Sequence, residues 1–119
     1  MTPLYQATIK QIGDCALEAL EDNMMIIFGD MAPADAAEYC FVHGHDELKG
    51  EITTAGLLKL GQHEYRITAV GEVVNKNLGE LGHITIRFDA LTEAEYPGCL
   101  HVDGPTPTDL TLGDTISFC

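Results

Sequence analysis

The chain has 119 residues, 45% of them hydrophobic, which is enough for one domain with one core and too apolar for a disordered chain. Nineteen Asp and Glu against 6 Lys and Arg give a formal net charge of -13. That surface repels DNA, RNA and anionic lipid, and suits solubility or a basic protein partner.

In chain order, Leu4 to Ile12 alternates loosely and ends at Gly13, which predicts a strand. Asp14 is placed to cap a short helix through about Asn23, with Ala16, Leu17 and Leu20 on its inner face. Met24 to Phe28 is a short apolar run closed by Gly29 and Asp30, as a buried strand would be. Met31 to Ala37 reads as a loop or one helical turn, with Pro33 near its start. Glu51 to Thr54, Leu57 to Leu60 and Glu64 to Val70 are predicted strands, the last two joined by a turn at Gly61-Gln62-His63. Gly71 bends the chain before a further short strand over Glu72 to Val74. Asn75 to Leu81 is a helix stopped by Gly82. His83 to Asp89 alternates most clearly, with Ile84, Ile86 and Phe88 on one face. Glu93 to Pro97 is a loop, Leu100 to Asp103 a strand, and Gly104, Pro105 and Pro107 mark a second loop. Leu112-Gly113-Asp114 turns into a last strand, Thr115 to Phe118. Many short strands, frequent glycine turns and one or two short helices predict an all-β fold, a small barrel or a sandwich, spanning 1–119 as one domain.

The opening MTPLYQATIK lacks a basic region followed by a long apolar run, and no apolar run approaches the ~20 residues that span a bilayer. A cytoplasmic protein is expected. Cys15, Cys40, Cys99 and Cys119 are scattered with no CxxC pair, which argues against zinc and redox dithiols. Cys40 and Cys99 are expected as small core residues.

The stretch Glu38-Tyr39-Cys40-Phe41-Val42-His43-Gly44-His45-Asp46-Glu47-Leu48-Lys49-Gly50 carries the candidate chemistry. In an extended chain, Tyr39, Phe41, His43 and His45 share one face, with Cys40, Val42 and Gly44 on the other. Gly44 leaves the backbone open to a ligand. Three readings fit this pattern. An HxH pair on a strand supplies two metal ligands in cupin-type barrels, and Pro97-Gly98-Cys99-Leu100-His101 faintly resembles a second cupin motif. The carboxylate spacing does not match, with Glu47 too close and Glu51 slightly too far. The second reading is phosphoryl transfer, because a neutral imidazole nitrogen is a good nucleophile near pH 7 and an open backbone can receive a phosphate. The third is a regulatory barrel that only docks on a partner. Asp46 and Glu47 oppose a phosphoryl charge of about -2. Lys49, Arg66 or Arg87 could offset that repulsion. His63 fits a turn, and His83 and His101 fit strand-start or solvent-facing positions.

The run EYCFVHGHDELKG, preceded by APAD, resembles the A component of the bacterial glucitol/sorbitol-specific phosphotransferase system. So do LGQHEYRITAVG, NLGELGHITIRFD and EAEYPGCLHVDGP, which together cover nearly the whole chain. The resemblance implies a closed, mostly β barrel with no metal or organic cofactor. It implies that His43 accepts a phosphoryl group from the phosphocarrier HPr, through Nε2, as a transient phosphohistidine. The group then passes to the membrane-bound B and C components that import and phosphorylate the sugar. His45 is cast as a supporting hydrogen-bond donor to the phosphate.

Overall fold

Residues 3–44 and 46–119 are described by the computed structural model, so His45 lies outside the described residues. Eight strands follow in chain order: β1 (Tyr5–Ile12), β2 (Met24–Gly29), β3 (Phe41–His43), β4 (Leu57–Leu60), β5 (His63–Val70), β6 (Ile84–Arg87), β7 (Cys99–Asp103) and β8 (Thr115–Phe118). They close into a barrel in the order β1-β3-β2-β6-β7-β5-β4-β8, with β8 pairing back to β1. The β2–β3 and β6–β7 pairs are parallel and the others antiparallel. Closure removes the unpaired edges that short strands would otherwise expose.

Alternation sets the inside. In β1, Tyr5, Ala7 and Ile9 are buried while Gln6, Thr8 and Lys10 face solvent. Ile84, Ile86 and Phe88 likewise enter the core, which Phe41, Leu58, Leu100 and Phe118 fill from the other strands. A second, smaller apolar cluster forms on the outer face of β3, where Cys40 and Val42 pack with Ala37, Ile26 and Phe28. Cys40 and Cys99 are buried, as expected, and burial raises both thiol pKa values.

Three short helices complete the fold: α1 (Ala16–Glu21), α2 (Ala34–Ala37) and α3 (Val74–Leu81). The residue preceding α1 is Cys15, and no side-chain bond caps this helix, so Asp14 does not act as expected. The six-residue α1 buries only a narrow stripe. Ala16 is inside and Leu20 packs on the core, whereas Leu17 turns outward at 56% exposure, beside Pro107. α3 ends on Gly82 in the left-handed conformation, φ +67°, the geometry for which glycine is suited.

Two predicted strands are absent. At Glu51 to Thr54, the Ile52 N–H donates to Asn75 Oδ1 at 2.7 Å and the Ile52 carbonyl accepts from Asn75 Nδ2 at 3.1 Å. One side-chain amide thus replaces a strand ladder for Ile52. Glu72 to Val74 is a turn into α3: Val74 N–H bonds to the Gly71 carbonyl and Asn77 N–H to the Val73 carbonyl. Tyr39 also falls outside β3, in the turn before it, and is 53% exposed.

Candidate functional site

β3 is three residues long and holds His43 between two neighbours, antiparallel to Ile9 of β1 and parallel to Gly29 of β2. Phe41 and His43 point inward, as their alternation predicts, and His43 has 0% exposure. Its ring nitrogens each meet a carbonyl oxygen: Nε2 lies 2.8 Å from that of Gly82 and Nδ1 lies 3.3 Å from that of Gly44. A carbonyl only accepts, and a neutral imidazole has one N–H. The shorter contact holds that hydrogen on Nε2 and leaves the lone pair on Nδ1.

Gly82 fits against the ring because it has no side chain. A Cβ there would meet His43 Cε1 at 2.7 Å, the Gly29 nitrogen at 2.9 Å and His43 Nε2 at 3.0 Å. On another side the Tyr5 ring meets the imidazole edge-on, with centroids 5.8 Å apart and planes at 88°. The Tyr5 hydroxyl accepts the Asp46 N–H at 3.2 Å, and Asp46 Oδ2 accepts the Gln6 N–H at 3.1 Å. Burial, reinforced by the charges of Asp46 and Asp30 and partly offset by the Asp46 hydrogen bond, pushes the Tyr5 pKa up to about 12. The phenol is therefore protonated at neutral pH. Asp46 belongs to this hydrogen-bonded frame and not to a loose solvated turn, whereas Glu47 is exposed.

Lys10 of β1 is exposed, as strand alternation predicts. The β1–β3 register shifts between Ile9, which pairs with His43, and Gln11, which pairs with Val42, so Lys10 lies at a bulge. Its ammonium pairs with Asp30 Oδ2 at 3.4 Å, and its stem runs over Gly44, where a Cβ would come within 3.1 Å of Lys10 Cε.

The other charged candidates lie elsewhere. Arg66 is on β5, across the barrel from β3. Arg87 pairs with Met24, at the end of β2 away from Gly29, and faces Asp89 and Glu95 at 3.7 and 3.5 Å. Exposed Lys49 is fixed through its backbone, the N–H bonding to the Leu4 carbonyl at 2.8 Å. The remaining histidines form local pairs. His63 opens β5 and reaches Asp109 at 2.7 Å, and that hydrogen bond lowers the Asp109 pKa. His83 donates from Nδ1 to the Ile27 carbonyl at 3.1 Å and stacks on Phe28. His101 is not solvent-facing. It is fully buried, donates from Nδ1 to Asp89 Oδ1 at 2.7 Å and accepts the Glu95 N–H on Nε2 at 3.1 Å. It sits level with Arg87, so it does not converge with His43 as a third cupin ligand would. Among the described residues no group of three His, Cys, Asp or Glu is disposed to hold a metal.

Sequence reasoning missed Tyr5 and the Gly82 carbonyl. Gly82 was legible as a helix stop, but nothing local tied it to a ring 39 residues earlier.

Among the described residues no helix is long and apolar enough to cross a membrane. The family model of the PTS system glucitol/sorbitol-specific IIA component matches residues 4–117. The glucitol/sorbitol-specific EIIA component of Escherichia coli (strain K12) is 53% identical over 118 residues, covering 99% of this chain and 96% of that protein. The Shigella flexneri EIIA component matches with the same identity and coverage. The crystal structure of a PTS system IIA component from Enterococcus faecalis V583 superposes with a TM-score of 0.84 at 29% identity, covering 93% of this chain and 96% of that one. With the barrel resembled in sequence and matched in structure, the chain belongs to the glucitol/sorbitol-specific IIA components of the phosphotransferase system.

Proposed function

We propose that this chain is a cytoplasmic phosphocarrier in which His43 takes a phosphoryl group from HPr and gives it to the membrane-bound B and C components, for uptake and phosphorylation of glucitol/sorbitol. The observation that carries the reading is a buried imidazole, held between two backbone carbonyls at the end of a barrel strand, in a chain of this family. Packing of that kind fixes a nucleophile to within a fraction of an ångström, on the order of 0.5 Å.

Attack through Nε2, which the resemblance implies, requires two coupled changes. The Gly82 carbonyl must separate from Nε2, and the ring hydrogen must pass to Nδ1, where the Gly44 carbonyl at 3.3 Å accepts it. Because Gly82 also lies against the Nε2–Cε1 edge, one movement of its turn frees the nitrogen and opens it to the donor. The Nε2 lone pair then bonds to phosphorus. The bond from phosphorus to the donor breaks, and its electron pair stays with the donor. Transfer onward is the same displacement in reverse. His45 supports the bound phosphoryl group by hydrogen bonding.

Incubation with phosphoenolpyruvate, enzyme I and HPr, followed by intact mass, tests this. One phosphoryl group is expected on the wild type, labile in acid and stable in base, and its acceptance survives chelation once phospho-HPr has been formed. His43→Ala and His43→Gln should take none, and His45→Gln should take it about 10²-fold more slowly if it donates in the transition state. Labelling of His43→Ala, or an acid-stable label, overturns the assignment, and an unlabelled wild type favours a barrel that only docks.

A further inference from the structure

We infer that His83 is a positioning residue for the phosphoryl acceptor, an inference that rests on the phosphocarrier reading of His43. The carbonyl that meets His43 Nε2 belongs to the peptide unit joining Gly82 to His83. A peptide unit is planar, so the direction of its carbonyl follows from how its two ends are held. Gly82 has no side chain to hold its end, and glycine is the residue whose backbone turns most freely. The holding falls to His83. Its Nδ1–H donates to the Ile27 carbonyl at 3.1 Å, and its ring stacks on Phe28 with centroids 4.3 Å apart and planes at 22°. Both contacts lie on β2 just before Gly29, which pairs with His43. The His83 N–H reaches the Asn77 carbonyl only at 3.4 Å, so the side chain is the firmer tie. Ile84, the next residue, faces the core, which leaves His83 on the outer face, where Phe28 packs against Val42 and Cys40. The His43 ring is inside the barrel wall. One peptide unit thus joins the two histidines, gripped outside by β2 and presenting its carbonyl to Nε2. Phosphorylation at Nε2 must release that carbonyl. An anchor that holds it in place stabilises the unphosphorylated form selectively, and biases the carrier toward giving its group away.

The test reads an equilibrium and not only a rate. A residue that merely supports the fold changes stability but not the final partition of phosphate between HPr and the folded chain. His83→Ala removes both side-chain contacts, His83→Phe keeps a ring on Phe28 without the N–H, and His83→Asn returns an N–H near the position of Nδ1. Wild type and the three variants are each equilibrated with a fixed amount of phospho-HPr, and both phosphoproteins are quantified. His83→Ala and His83→Phe are expected to move the partition toward the phosphorylated form of this chain by about two- to tenfold, the net worth of one hydrogen bond. His83→Asn should return it toward the wild-type value. In the unphosphorylated proteins, at a pH where the ring is neutral, long-range ¹⁵N–¹H correlation should find the His43 hydrogen on Nε2 in wild type and His83→Asn, and a larger share of it on Nδ1 in the other two. A partition that stays at the wild-type value in His83→Ala and His83→Phe, or moves toward phospho-HPr, overturns the inference. The phosphocarrier reading fails separately, if the wild type takes no label or if His43→Ala takes one. The position of the ring hydrogen, read without phosphate, then decides on the anchor alone, and an unchanged His43 in both variants overturns it.

Discussion

The Gly82 carbonyl oxygen lies 2.8 Å from Nε2 of His43, joining the end of α3 to the end of β3. The same glycine holds φ +67° and leaves no room for a Cβ against the ring. Gly82→Ala is therefore expected to do two things. It strains a left-handed residue, which costs about 1–2 kcal/mol, and it displaces the imidazole from its carbonyl. Gly113→Ala separates the two effects. Gly113 also has positive φ, at +92°, but nothing within 4 Å of a Cβ. Both variants should lose thermal stability, and only Gly82→Ala should lose phosphoryl acceptance. Equal acceptance in the two would remove Gly82 from the placement of His43.

The ring hydrogen gives a second measurement. In the free protein, at a pH where the ring is neutral, long-range ¹⁵N–¹H correlation should find the His43 hydrogen on Nε2, because the Gly82 contact is shorter than the one to Gly44. A His43 resonance pattern with the hydrogen on Nδ1 would mean that the ring is already set for attack through Nε2, and that the Gly82 turn is no barrier to it.

Local pattern made much of the barrel legible. The alternation of Ile84, Ile86 and Phe88 and the stop at Gly82 both have their causes within a few residues, and both appear in the structure. The site was half legible. His43 stands out by its flanks, but its environment depends on β1 and β2 closing on either side of β3. That pairing order has no periodicity of its own. Glu51 to Thr54 reads as a strand until the Asn75 amide takes the backbone groups of Ile52. His101 reads as a surface residue because its partner Asp89 is on another segment. In each case a contact distant in sequence overrode a local preference.

The His101–Asp89 pair predicts an acid limit to stability. Burial acts to raise the Asp89 pKa, but the hydrogen bond from His101, with the Leu91 N–H and the nearby Arg87 charge, brings it below its ordinary 3.8. A carboxylate with a depressed folded pKa stabilises the protein above its unfolded pKa, and loses that contribution as pH falls through the folded value. Denaturant midpoints should therefore drop as pH is lowered from about 4. Asp89→Ala should flatten that part of the profile. At pH 7 it should cost about 1–3 kcal/mol, since it leaves the buried His101 Nδ1–H without its acceptor. A profile unchanged by the substitution would show that other carboxylates set the acid limit.

The charge of -13 predicts how this protein meets its phosphoryl donor. Long-range attraction of a basic partner surface acts on the association rate, and it is screened as the Debye length shortens from about 30 Å at 0.01 M salt to about 10 Å at 0.1 M. Transfer from HPr under second-order conditions should slow across that range. The contributing carboxylates must be those free to face a partner. Asp46 is a poor probe, because its side chain accepts the Gln6 N–H and its loss would disturb the frame around Tyr5. Glu47 is exposed, so Glu47→Gln is the cleaner substitution. It should lower the rate at low salt, with the difference from wild type fading at 0.1 M and above, and leave the final phosphate partition unchanged. A transfer rate indifferent to salt would assign the acidity to solubility, and a partition altered by Glu47→Gln would place that carboxylate against the phosphoryl group itself.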